Sequence, residues 1–136
     1  MRIMTCLILS GLFMAVPPAF GGDIFDGTSP LVCATIEALD CDPGKPCDRG
    51  IPQVMLAPQF LRIDFVKQEI SGPFRSTKIR STDKTDDQIV LQGYEQELGA
   101  GMGWTLALDR LDGNMRIAIA SWDATFTIFG ACTSLP

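Results

Sequence analysis

The sequence predicts an all-β domain: a small antiparallel barrel of about eight strands, or a sandwich, stapled by disulfides. Three observations lead there. Apolar and polar residues alternate at period two in several short segments, such as 60–66 and 104–109. Turn-forming residues separate those segments, and no stretch beyond residue 21 holds a 3.6-residue period for more than two turns. Four cysteines outside the N-terminal apolar run, Cys33, Cys41, Cys47 and Cys132, make an even set in a short chain.

The chain opens Met1-Arg2, then runs apolar over 3–16, then reads Pro17-Pro18-Ala19-Phe20-Gly21. One positive charge, a short apolar core and small residues at Ala19 and Gly21 are the three parts of a secretory signal peptide, with cleavage expected after Gly21. The apolar run is shorter than the roughly 20 residues a spanning helix needs. Cys6 lies inside it without the small residues that precede a lipidated cysteine. The expectation is a leader over 1–21 and one β domain over 22–136, periplasmic or secreted, with no membrane span after processing.

Residues 22–30 are Gly, Asp, Ser and Pro around Ile24 and Phe25, and read as an extended arm. Residues 31–39 are mostly apolar and read as the first strand. Residues 42–52, rich in Pro, Gly and charge, read as a loop. In 60–66, Leu61, Ile63 and Phe65 share one face and Arg62 and Asp64 the other. Lys67-Gln68 turns the chain towards Ile70. A strand is expected over 77–81, a polar turn over 82–87, a strand over 88–95 and a glycine-rich loop over 97–103. Trp104, Leu106 and Leu108 alternate with polar or small residues, Asp112-Gly113 suits a hairpin turn that needs φ > 0, and Met115, Ile117 and Ile119 alternate in return. Trp122-Asp123 turns again, and 124–130 forms the last strand, with Phe126 and Ile128 on one face.

Between Cys41 and Cys47 lies Asp42-Pro43-Gly44-Lys45-Pro46. Pro presets φ for the first central position of a type II turn and Gly accepts φ > 0 at the second, so this segment brings Cys41 and Cys47 together. That leaves Cys33 with Cys132, a bridge from the first strand to the last that favours a closed barrel. The spacings fit no zinc pattern, and the chain has no His; no metal and no cofactor are expected.

The formal net charge is −5, and losing Arg2 with the leader makes it −6. With no basic cluster to displace counterions, nucleic acid is not an expected partner; a cationic partner would be favoured electrostatically. Without His, the commonest general base and all imidazole-based triads are excluded. In the turn around Gly113 the calcium-loop positions fall on Leu108, Arg110 and Asp112, which is a hairpin and not an EF-hand. Asp64 and Glu69 could face each other across the Lys67-Gln68 turn as a carboxylate pair, although two solvated charges are the simpler reading. Trp104 reads as core. Trp122, at a turn, is balanced between core and a contact surface for a sugar or peptide.

Trp104-Thr105-Leu106-Ala107-Leu108-Asp109, Gly113 and Phe129-Gly130-Ala131-Cys132 resemble the closing hairpin and C-terminal G-x-C of small uncharacterised secreted proteins of Gram-negative bacteria. That resemblance implies a periplasmic β-domain and no activity. Ser71-Gly72-Pro73-Phe74-Arg75 is similar to the S-G-x-x-Y loop of periplasmic C-type lysozyme inhibitors, with Arg75 where the signature has Tyr. Their W-x-K-G segment meets Trp104-Thr105-Leu106-Ala107, without the Lys. This second resemblance implies an eight-stranded barrel whose loop blocks a cationic hydrolase.

The sequence therefore leads to a non-enzymatic exported barrel that binds a small ligand or a protein partner, with Ser71, Phe74, Arg75 and Trp122 as candidate contacts. Inhibition of a cationic hydrolase such as lysozyme is the alternative.

Overall fold

A computed structural model describes residues 23–96 and 101–135. The expected leader over 1–21, and residues 97–100 of the expected glycine-rich loop, lie outside the described residues. Nine strands occur among the described residues: β1 (Leu31–Asp40), β2 (Asp48–Gly50), β3 (Phe60–Asp64), β4 (Glu69–Ser71), β5 (Ser76–Lys84), β6 (Gln88–Glu95), β7 (Met102–Asp109), β8 (Asn114–Ala120) and β9 (Thr125–Ser134). All pairings are antiparallel.

Eight of the strands close into a barrel in the order β1-β3-β4-β5-β6-β7-β8-β9, with β9 returning to β1. Closure decides between barrel and sandwich, because it leaves β1 and β9 no free edge to pair elsewhere. β2 is a short flap on β1 beyond the end of β3, with Ala38 opposite Gly50. Cys33 and Cys132 are directly opposed on β1 and β9 and are disulfide-bonded, and Cys41 is bonded to Cys47. No helix long and apolar enough to cross a membrane occurs among the described residues.

The inward faces follow from alternation and register. Met115, Leu108 and Ile89 form one layer across β8, β7 and β6; Ile128, Ile117, Leu106 and Leu91 form the next, from β9 to β6; Phe126, Ile119 and Trp104 form a third. The third layer meets Gly93 on β6, because the indole of Trp104 occupies the space a side chain would need. A Cβ on Gly93 would lie 2.1 Å from the ring. The indole N–H donates to Thr77 Oγ1 at 3.1 Å, which pins the ring along β5. A register shift between Thr35 and Glu37 resets the alternation in β1, so Ala38 joins Leu31 and Cys33 inside while Ile36 points out.

Several expectations are corrected. The arm expected over 22–30 is not extended in its described part, 23–30: Asp23 and Asp26 accept from the backbone N–H groups of Phe25 and Thr28, bending the chain into consecutive Asx turns. The loop over 42–52 contains β2 and leads into a 3-10 helix, Pro52–Met55, entered by Pro52. The polar turn expected over 82–87 shrinks to 85–87, because Thr82, Asp83 and Lys84 pair with Leu91, Val90 and Ile89. The final strand runs on through Cys132, held by its pairing with β1. Asp64 is not a solvated charge: it is 8% exposed, and its carboxylate accepts the Lys67 N–H at 2.9 Å, closing the β3–β4 turn.

Candidate functional site

The two ends of the barrel are built differently. One end gathers the N-terminal arm with the β3–β4, β5–β6 and β7–β8 turns, and it is plugged. Phe25 packs on the core and lies over Gly113, whose φ of 74° needs glycine and whose missing Cβ makes room for the ring. Arg110 ties the plug in place: it pairs with Asp23 and donates to the carbonyls of Phe25, Thr85 and Asp86.

The other end gathers the β4–β5, β6–β7 and β8–β9 connections and the long passage from β1 to β3. Nothing comparable to Phe25 enters it among the described residues. A cavity of about 240 Å³ descends there into the barrel. Its floor and walls are apolar: Leu106 and Ile117 from the second layer, and Trp104, Ile119 and Phe126 from the third. Ile70 and Leu61 close the side formed by β4 and β3, and the segment after the 3-10 helix, Leu56-Ala57-Pro58, overhangs the mouth. That overhang is fixed: Leu56 adopts φ 59°, its N–H bonds back to the Gln53 carbonyl, the Ala57 N–H bonds to the Pro52 carbonyl, and Thr35 Oγ1 donates to the Pro58 carbonyl at 2.7 Å.

Polar side chains are few in the described lining. Ser76, Arg75 and Glu95 are the polar side chains of the lining besides Thr77, whose hydroxyl already serves Trp104. Among the described residues no fully buried side-chain nitrogen or oxygen lacks a partner. A water needs two to four polar partners to be held, and an apolar chamber offers few.

The candidate contacts named from sequence all lie at this end. Phe74 (96% exposed) tips the β4–β5 turn, flanked by partly buried Ser71 and Arg75. Trp122, on the β8–β9 turn, is 84% exposed, so its core reading is overturned. The two turns are half a circumference apart in the strand order, which sets these aromatics on opposite sides of the mouth. Of the four, only Arg75 reaches the cavity lining. Sequence reasoning placed Leu61, Trp104, Ile117 and Phe126 in the interior but missed Met55 and Leu56, which line the mouth from the segment 53–59, to which no element was assigned. Their signal was the apolar run Val54-Met55-Leu56-Ala57, which no solvated loop needs.

Asp64 and Glu69 are opposed across β3 and β4, yet each is already engaged. Lys78 donates to Glu69 at 2.7 Å and holds its carboxyl below the ordinary range, while Asp64 is committed to its turn with Arg62 and Lys67 nearby. The turn at Asp109–Asn114 is likewise self-satisfied: Asp109 accepts from the Leu111 N–H and Asp112 from the Asn114 N–H. Among the described residues no three His, Cys, Asp or Glu side chains cluster as metal ligands would. No protein-family model, curated protein or solved structure matches this chain, so what it resembles rests on its own residues and what it could bind rests on the cavity.

Proposed function

We propose that this protein is an exported, non-catalytic binding barrel that takes a small apolar molecule into its open end. The observation that carries this reading is the cavity itself: one end of the barrel is plugged by Phe25 and Arg110, while at the other the described residues leave a hollow lined by hydrocarbon and aromatic surface. Natural cores pack to the density of organic crystals, so a void this large in a small domain calls for an occupant. At roughly 30 Å³ per small group the space fits about eight non-hydrogen atoms. Burying eight methylenes contributes on the order of 6 kcal/mol. Association and ordering reduce that, which places dissociation constants between about 0.1 mM and 1 mM.

The chain's two tryptophans make this testable. In a Trp122→Phe variant, Trp104 is the sole indole and forms part of the cavity wall. Titration with 1-octanol is expected to change its emission saturably, and Ile117→Phe, which projects an aromatic ring into the chamber, is expected to weaken the response at least tenfold. A non-saturating response, or one indifferent to Ile117→Phe in a folded protein, contradicts the reading. Export is supported by the leader-like pattern over 1–21 and by the two disulfides, which persist in oxidising compartments. Expression of residues 1–136 in a Gram-negative host should yield periplasmic protein beginning at Gly22; cytoplasmic protein retaining Met1 would refute it.

The exposed ring of Phe74 at the tip of a tight turn favours a second reading, in which the Ser71-to-Arg75 loop enters the cleft of a cationic hydrolase. A lysozyme turbidity assay at micromolar protein decides it: inhibition lost in Phe74→Ala supports the reading, and no inhibition removes it.

A further inference from the structure

Arg75 is the sole cation among the described residues of the cavity lining, half-buried on the β4–β5 turn. Several other cations among the described residues are engaged, whereas Arg116, outside the cavity lining on exposed β8 surface, is like Arg75 in having no ion pair there. Arg49 pairs with Glu37, Lys78 with Glu69, Lys45 with Asp42 and Arg110 with Asp23, and Arg80 lies over the Tyr94 ring. The guanidinium of Arg75 has no ion pair or hydrogen bond among the described residues. Glu95, the one carboxylate among the described residues of the lining, has an interaction of its own. The Arg75 backbone is fixed, since its carbonyl accepts the Gly72 N–H at 2.8 Å and Ser76 beside it pairs with Ser71. Arg75 thus stands at a fixed backbone position in the lining of a largely apolar chamber, and its guanidinium has no competing partner among the described residues.

From this we infer that the ligand is an anionic amphiphile: a short acyl carboxylate whose chain fills the chamber and whose carboxylate is held by Arg75 at the mouth. This rests on the reading of the cavity as a ligand site and specifies what enters it. Guanidinium presents a planar fork that matches a carboxylate bidentately, and charge-assisted hydrogen bonds of this kind are about twice as strong as neutral ones. The other polar side chains of the described lining are Ser76, Thr77, whose hydroxyl serves Trp104, and Glu95, so Arg75 is the group that can hold an anionic head, and the volume of about 240 Å³ accommodates roughly eight carbons. Exposed Ser76 adjoins Arg75 in the lining and offers a hydroxyl donor to the same head group.

The experiment is a calorimetric titration of the disulfide-bonded protein at pH 7 with octanoate and, separately, with 1-octanol, repeated on Arg75→Gln. The alcohol keeps the chain and removes the charge. In the parent protein octanoate should bind about tenfold more tightly than octanol, and in Arg75→Gln that ratio should fall to about one. A ratio near one in the parent protein overturns the anionic assignment while leaving the cavity reading intact. A ratio that stays near ten in Arg75→Gln overturns the role of Arg75. Binding of neither compound to the parent protein overturns both the cavity reading and the head-group assignment.

Discussion

At the scale of single residues, Trp104 and Gly93 form one device on two strands. The indole lies where a β6 side chain would stand, and its N–H is satisfied by Thr77. Gly93→Ala would force the ring away from its place, because the new methyl would also sit 2.5 Å from the Lys78 carbonyl. The expected loss is about 2–3 kcal/mol, in line with overpacked cores, and equilibrium urea unfolding measures it. Glu69 gives a pH signature. The hydrogen bond from Lys78 lowers its folded pKa below the ordinary value of 4.5. Its contribution to stability is therefore present above the unfolded pKa and lost as pH falls through the lowered folded value. Asp26, held down by the Thr28 hydroxyl and N–H, behaves in the same sense. Carbon-detected NMR titration should place the Glu69 midpoint below 4.5, and Lys78→Ala should bring it back; an unshifted midpoint in the parent protein would contradict the bond. Alternation of apolar residues showed which side chains point inward on β7 and β8. It could not show that Asp64, on the polar face of its strand, is buried, because that burial comes from the turn folding back over it.

At the scale of elements, the strands that fold with their hairpin partners were the legible ones. β6, β7 and β8 carry strict alternation, and the Asp112-Gly113 turn fixes its own geometry through Gly113. In the passage from β1 to β3, 42–52 was read as loop and 53–59 was assigned no element, because the structure there is borrowed: β2 exists only by pairing with β1, and the segment after the 3-10 helix is anchored through Thr35. The N-terminal arm is similar. Its turns are local, but its position depends on Arg110, eighty-odd residues away in sequence. Arg110→Ala should free the arm and destabilise the fold by about 2–3 kcal/mol, since several bonds to a side chain only 16% exposed are lost together. Hydrogen exchange should then show faster exchange at the Phe25 and Thr28 amides, and equal exchange in variant and parent would refute the tie.

At the scale of the whole molecule, the disulfide between Cys33 and Cys132 closes a loop of 99 residues across the β1–β9 seam. In the chain-entropy account such a closure contributes about 4–5 kcal/mol, against about 2 kcal/mol for the six-residue separation of Cys41 and Cys47. The double variant Cys33→Ala/Cys132→Ala should therefore unfold at markedly lower urea than Cys41→Ser/Cys47→Ser, and the reverse order would count against closure of the barrel as the main constraint. Barrel closure was legible in the cysteine pairing because the short Pro-Gly turn left only one partner for each remaining cysteine. The asymmetry of the ends was not legible, since the plug and the hollow depend on which connections gather at which mouth. The central claim is that the end without the plug is a ligand chamber. Methyl-labelled NMR of the isoleucines tests it most directly. On addition of octanoate, Ile70, Ile117 and Ile119, which line the chamber, should shift saturably, while Ile63 and Ile89, which lie outside its lining, should not. Shifts absent from the first group, or spread equally over both, would contradict the account.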